Sequence, residues 1–211
     1  MLFDFVSTAL VTLLVTLDPA GLVPIFISVT RGMNSAERRQ VALRASLIAF
    51  GILVFFGVGG DLLFDLLGVG LPAFRISGGL LLFWIAFEMV FERRTDRKQN
   101  TVDVAITEDH IRNVAAFPLA IPLMAGPGAI TATILLAGRT HERPLYLISL
   151  ILLIGVGVAT CFALFLAADR VARFLGATGN VVLSRLLGLI LAGLAVQFVV
   201  DGILELIPAS G

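Results

Sequence analysis

The 211-residue chain has a single cysteine, one tryptophan, one tyrosine and two histidines, and only 14% of its residues are charged. Cys161 has no second cysteine to pair with, which excludes an internal disulfide. Its place inside an apolar run marks it as packing rather than a thiolate metal ligand. His110 and His141 stand in polar stretches with no second ligand at helical spacing, so no metal site is expected and both imidazoles should be solvated. No P-loop of the form G-x-x-x-x-G-K-[ST] occurs, which argues against direct use of ATP. Fifteen Lys and Arg balance fifteen Asp and Glu. No cofactor and no nucleic-acid partner is expected.

What the chain does have is apolar length. Hydrophobic residues make up 58% of it and the mean hydropathy is +1.03, whereas an ordinary soluble domain carries about 25% charged residues. Six segments approach the roughly 20 residues needed to cross a bilayer: about 5–30, 41–67, 76–91, 114–137, 145–168 and 181–204. The chain therefore reads as an all-α membrane protein with six transmembrane helices, in contact with the lipid bilayer over most of its surface. Asp4 precedes the first run and there is no basic leader, so a cleaved signal peptide is not expected. Most of the fifteen basic residues fall in the first, third and fifth connections: Arg31, Arg38, Arg39 and Arg44; then Arg93, Arg94, Arg97, Lys98 and Arg112; then Arg170, Arg173 and Arg185. The other side has Arg75, Arg139 and Arg143. The positive-inside rule then puts the odd-numbered loops in the cytoplasm and both termini outside. The mixed-charge stretch 92–113 reads as a solvated cytoplasmic linker between a first three-helix unit, 1–91, and a second, 114–211, within one integral membrane domain.

Two apolar segments contain a helix-start signal in their interior. In Asp18-Pro19-Ala20-Gly21, Asp18 is a good N-cap and Pro19 suits the first helical position, where its missing N–H costs nothing. In Gly126-Pro127-Gly128-Ala129, Gly126 serves as a permissive cap and Pro127 takes the same place. The first and fourth helices are thus expected to break near mid-membrane, their half-helix N-termini pointing toward one another. N–H groups and the positive dipole end at such a start attract a carboxylate. Small residues let it come close, and Asp18 is suited to an ammonium group or a proton. Asp18, Pro19, Gly21, Gly126, Pro127, Gly128 and Thr131 are the candidate substrate-binding residues. Thr12, Thr16, Pro24 and Gln197 are secondary candidates, since Thr8, Thr12 and Thr16 recur on one helical face. The bland alternative is that Pro and Gly mark kinks and that the threonines bond their own helix.

The halves also repeat. Arg75-Ile76-Ser77-Gly78 and Arg185-Leu186-Leu187-Gly188 stand at nearly equal distances after Pro19 and Pro127, and each opens the third helix of its unit. Three helices per unit make the second unit enter from the opposite face, giving two inverted three-helix repeats, an architecture of secondary transporters. The small-residue series Gly155, Ala159, Ala163 and Ala167 suits close helix packing. Glu88, Asp61 and Asp65 are placed near span ends and expected in solvent; Asp201 shares a face with Gln197 at i, i+4, close to the outer end of the last helix.

Three runs carry a family resemblance: residues 18–26, residues 117–130 and Arg75-Ile76-Ser77-Gly78-Gly79. Over nearly the whole chain they resemble the signatures of the MarC family of bacterial multi-pass inner-membrane proteins, related to the lysine-exporter group; Ser77 stands where alanine is usual. The resemblance implies transport of small neutral amino acids or similar zwitterionic metabolites. The expected function is a secondary transporter, an exporter or an ion-coupled carrier, working by alternating access on a small-molecule solute with a coupling proton or sodium ion. The alternative is a non-transporting membrane scaffold or regulatory protein. An enzyme is not expected: Val58-Gly59-Gly60-Asp61 lacks the first glycine of G-x-G-D, Arg75-Ile76-Ser77-Gly78 lacks that of G-x-S-G, and no base accompanies a nucleophile.

Overall fold

In a computed structural model, residues 2–92, 115–140 and 144–207 are described. Among them the elements are helical: α1 (Leu2–Leu17), α2 (Pro19–Val29), α3 (Ser35–Leu67), α4 (Leu71–Val90), a wide-turned segment Ala115–Met124, α5 (Pro127–Ala137), α6 (Pro144–Leu166) and α7 (Ala168–Leu206). Five stretches are long and apolar enough to cross a membrane: Leu2–Val29, Ser35–Gly60, Leu71–Val90, Pro144–Leu166 and Thr178–Leu206. A sixth is formed if Ala115–Met124 and Pro127–Ala137, bent by 56°, make one span. With the bent pair counted as one span, each of the six apolar segments has a candidate span among the described residues, with shifted ends. The stretch 93–114, most of the expected linker, lies outside the described residues, as do His110, His141 and Arg143.

The shifts have local causes. α3 starts at Ser35 because Asn34 and Glu37 form a capping box: the Asn34 N–H donates to Glu37 Oε2 at 2.8 Å, and the Glu37 N–H to Asn34 Oδ1 at 3.0 Å. At the far end of the chain, α7 is interrupted at Gly176, whose φ of 61° and ψ of −178° lie in a region essentially closed to other residues. Residues 168–175 thus form a short helix of their own before the last span. A Cβ at Gly176 would meet nothing within 4 Å, so Gly176→Ala acts through backbone strain alone. It is expected to cost about 1–3 kcal/mol, read as a lower melting midpoint in detergent with no loss of helical circular dichroism at low temperature.

The largest interface is between the antiparallel α4 and α7, and glycine makes it close. A Cβ on Gly79 would lie 2.8 Å from the Ala195 carbonyl oxygen, and one on Gly188 would lie 3.1 Å from that of Ala86. α3 packs on α5, α6 and the 115–124 segment, and α1 on α5 and α6. The buried core runs through these helices, with Leu13, Leu17, Phe26, Leu53, Leu135, Phe165 and Phe198 among its fully buried side chains. Cys161 is buried in it. Phe55, Leu47, Trp84, Leu152 and Leu189 stand outward, as lipid contact requires.

The Gly155, Ala159, Ala163 and Ala167 series does not form the packing face of α6. Ala159 and Ala163 are exposed, while Leu150, Ile154, Gly157, Val158, Cys161 and Phe165 face inward. The face is chosen by Gly157, whose absent side chain admits Leu17 of α1. Glu88 is likewise buried rather than solvated, and accepts a hydrogen bond from Trp84 Nε1 at 3.2 Å. The side chains of Asp61 and Asp65 lie outside the described residues.

Candidate functional site

Both helix breaks are present where the sequence places them. At the first, Asp18 adopts a left-handed conformation (φ 52°, ψ 62°), which aspartate tolerates better than most residues. Its Oδ1 accepts the Gly21 N–H at 3.1 Å, and its own carbonyl accepts the Leu22 N–H at 3.2 Å. Asp18 is 4% exposed. It is thus the N-cap of α2, and Pro19 follows at the first helical position. Pro24, inside α2, has no N–H, so the Ala20 carbonyl lacks its usual donor four residues on.

At the second break, Gly126 is extended (φ −83°, ψ 172°) and caps α5 through its carbonyl, which accepts the Ile130 N–H at 3.0 Å. With Pro127 first, the N–H groups of Gly128 and Ala129 head the helix as donors with no intrahelical carbonyl to accept them. The stretch before the break is not a regular α-helix. Phe117 and Ile121, each preceding a proline, are extended, the Phe117–Pro118 and Ile121–Pro122 peptides are cis, and the Ala125 N–H reaches back five residues to Ala120 O. Residues before proline are pushed toward extended backbone, and the doubled X-Pro at spacing four was the available signal.

The two broken spans adjoin, α1 against α5 and α2 against the 115–124 segment. The small residues at the breaks are filled by the protein itself. A Cβ on Gly21 would fall 2.2 Å from Asp18 Oδ2, one on Gly126 2.3 Å from Pro122 O, and one on Gly128 2.4 Å from Ile85 Cδ1. The threonine hydroxyls donate to their own helix: Thr12 to Thr8 O at 2.7 Å, and Thr16 to Thr12 O at 2.8 Å. Thr131 is buried with its methyl against Gly78 of α4. Gln197 stands apart from the breaks, exposed on α7 and donating to Asp201 Oδ1 at 2.7 Å.

Two further features have no local signal in the sequence. One is a cavity of about 240 Å³ between α2 and the short helix, lined by Ala20, Val23, Pro24, Val171, Ala172, Leu175, Gly176 and Asn180. It reaches Ala20, two residues after Asp18, from the end of the molecule that carries Arg31, Arg38, Arg39 and Arg44. The other is a charge cluster at the opposite end. Arg75, buried at the start of α4, pairs with Glu205 and donates to Gly138 O at 3.2 Å, placing a cation at the C-terminus of α5. Arg139 pairs with Asp201 and lies over the Phe198 ring at 4.8 Å. Three helix ends are tied together there. Asp201, near the outer end of the last helix, is thus paired. The Arg75–Glu205 pair has a counterpart at the other end, where Arg185 of α7 meets Glu92 after α4 at 3.3 Å. Each R-x-x-G arginine therefore reaches the acid at the end of the other helix.

Five apolar candidate spans, one of them interrupted at Asp18, and a sixth bent at Gly126 define an integral membrane protein of the multi-pass α-helical class. Residues 3–207 match the model of the MarC family of integral membrane proteins. A UPF0056 membrane protein of Aquifex aeolicus is 39% identical over 203 residues, covering 94% of this chain and 92% of that one. The UPF0056 membrane protein YhcE of Escherichia coli is 36% identical over 191 residues, 90% and 88% of the two chains. The UPF0056 inner membrane protein MarC of E. coli is 30% identical over 214 residues, 98% and 97%. No solved structure matches. The chain belongs to the MarC family.

Proposed function

We propose that this protein is a secondary transporter, an exporter or an ion-coupled carrier, of small neutral amino acids or similar zwitterionic metabolites. It is a carrier rather than an enzyme, held in the bacterial inner membrane with both termini periplasmic. The observation that carries this reading is the pair of half-helix starts, Asp18-Pro19 and Gly126-Pro127, on two spans that pack against one another. The N–H groups heading α5 suit a solute carboxylate, and Asp18 supplies the charge for its ammonium group, a proton or a sodium ion. Support for two inverted three-helix units comes from the reciprocal arginine–acid pairs and the reciprocal glycine contacts of α4 and α7. The cavity beside Ala20 offers a route from the cytoplasmic side, while the Arg75 and Arg139 pairs close the periplasmic one. Alternating access then requires those pairs to part and the glycines at the breaks to be vacated by Asp18, Pro122 and Ile85.

A scaffold or regulatory role is the second reading, favoured by the occupation of all three glycine spaces and by hydroxyls bonded to their own helices. Thermal unfolding of the purified protein separates the two. Under the carrier reading, at least one of glycine, alanine, serine and threonine raises the melting midpoint saturably, as any ligand of the native state must. A midpoint unmoved by all four at millimolar concentration favours the scaffold.

A further inference from the structure

Residues 168–175 have two faces with opposite chemistry. The short helix sits between the end of α6 at Leu166 and the break at Gly176, and the last span resumes at Thr178. Apolar spans on both sides leave it at a membrane boundary. Val171, Ala172 and Leu175 face the cavity and cover it against Ala20, Val23 and Pro24 of α2. Arg170, Arg173 and Phe174 share the other side, at positions i, i+3 and i+4, and all three are exposed. Phe174 is 91% exposed, more than any other large apolar side chain among the described residues.

The acid of this helix is already engaged. The Asp169 carboxylate takes two bonds from the Arg38 guanidinium of α3, at 3.0 and 3.3 Å, and the Asp169 carbonyl accepts from Arg173 Nε at 3.1 Å. That arrangement ties the helix to α3 and leaves the charge of its outer face positive, with the exposed Arg39 lining the same small cleft as Asp169. A bare phenyl ring flanked by two guanidinium groups, on a helix lying at the bilayer boundary, has the composition of an interfacial anchor: the ring enters the acyl boundary while the cations stay at phosphate depth. A soluble anion would leave the ring in water.

We propose that this face binds anionic phospholipid, with Arg170 and Arg173 on the phosphate of a phosphatidylglycerol-type headgroup and Phe174 seated among the acyl chains beneath. The helix that covers the cavity beside Ala20 is thereby anchored in the leaflet. The proposal does not depend on transport.

The test uses the full chain in nanodiscs of phosphatidylglycerol and phosphatidylcholine in equal amounts. Lipids retained by the protein are counted by native mass spectrometry. At about 1 kcal/mol per basic residue near a membrane surface, retention should favour phosphatidylglycerol at least about fivefold. In the R170Q/R173Q double variant that preference should fall by more than half. Depth is read separately on Phe174→Cys carrying an NBD fluorophore, with Cys161 left in place because it is buried. The probe should emit as in an apolar setting and be quenched by lipids spin-labelled high on the acyl chain. Equal retention in parent and double variant, or a water-like, unquenched probe, overturns the proposal.

Discussion

Replacing Asp18 by asparagine is expected to lower saturable solute flux in reconstituted vesicles by about 10–100-fold, the loss that follows from removing a charge-assisted hydrogen bond in a buried site. The fold should survive. Asparagine keeps an oxygen that can accept the Gly21 N–H, as Asp18 Oδ1 does at 3.1 Å, and it tolerates the left-handed backbone found there. Asp18→Ala removes the cap and also sets alanine in a left-handed conformation it disfavours, so its loss of flux should come with about 2–3 kcal/mol of destabilisation. The contrast separates charge from capping. If flux in the asparagine variant equals that of the parent, Asp18 is a cap and nothing more. If both variants lose flux only in proportion to their unfolding, the result is the same.

The second large effect lies in the α4–α7 interface. Gly79→Ala sets a methyl group 2.8 Å from the Ala195 carbonyl oxygen and 3.0 Å from the Val199 nitrogen. Gly188→Ala sets one 3.1 Å from the Ala86 carbonyl oxygen and 2.9 Å from Met89 Cβ. Backbone cannot rotate out of the way as the end of a long side chain can, so the helices must separate. Each substitution is expected to cost about 1–3 kcal/mol, a fall of roughly 3–10 °C in melting midpoint for a chain of this size. The double variant should fall short of the sum, because the first methyl already relieves part of the second clash. Gly193→Ala, also on α7 with nothing within 4 Å, should be neutral or slightly stabilising. A Gly193 variant as unstable as the other two would mean that α7 dislikes any change, and the close approach would lose its support.

Much of this architecture was written in the sequence because a bilayer fixes span length and penalises broken backbone. Asp18-Pro19 and Gly126-Pro127 are start signals that depend only on their own few residues, and both breaks stand where those signals put them. What depends on a neighbour was not legible. Gly21, Gly126 and Gly128 read as room for a ligand, yet Asp18, Pro122 and Ile85 occupy that room. Ala159 and Ala163 read as a packing series, but α6 turns Gly157 inward because Leu17 fits there. That Gln197 and Asp201 share a helix face follows from their spacing of four; that Arg139 meets Asp201 and draws the pair into the charge cluster does not. The wide-turned stretch before Gly126 had its signal in the two X-Pro pairs, Phe117-Pro118 and Ile121-Pro122, which a reading of hydropathy alone passes over.

The central claim is that the paired breaks form the solute site of a carrier, and counterflow tests it most directly. Vesicles containing the parent protein are loaded with one unlabelled neutral amino acid, diluted into a trace of the same labelled solute, and followed with and without an imposed pH gradient. For at least one of glycine, alanine, serine and threonine, the carrier account predicts transient accumulation of label above the external level, abolished in the Asp18→Asn variant. Absence of accumulation for every one of them, with the parent protein folded and correctly inserted, would contradict it.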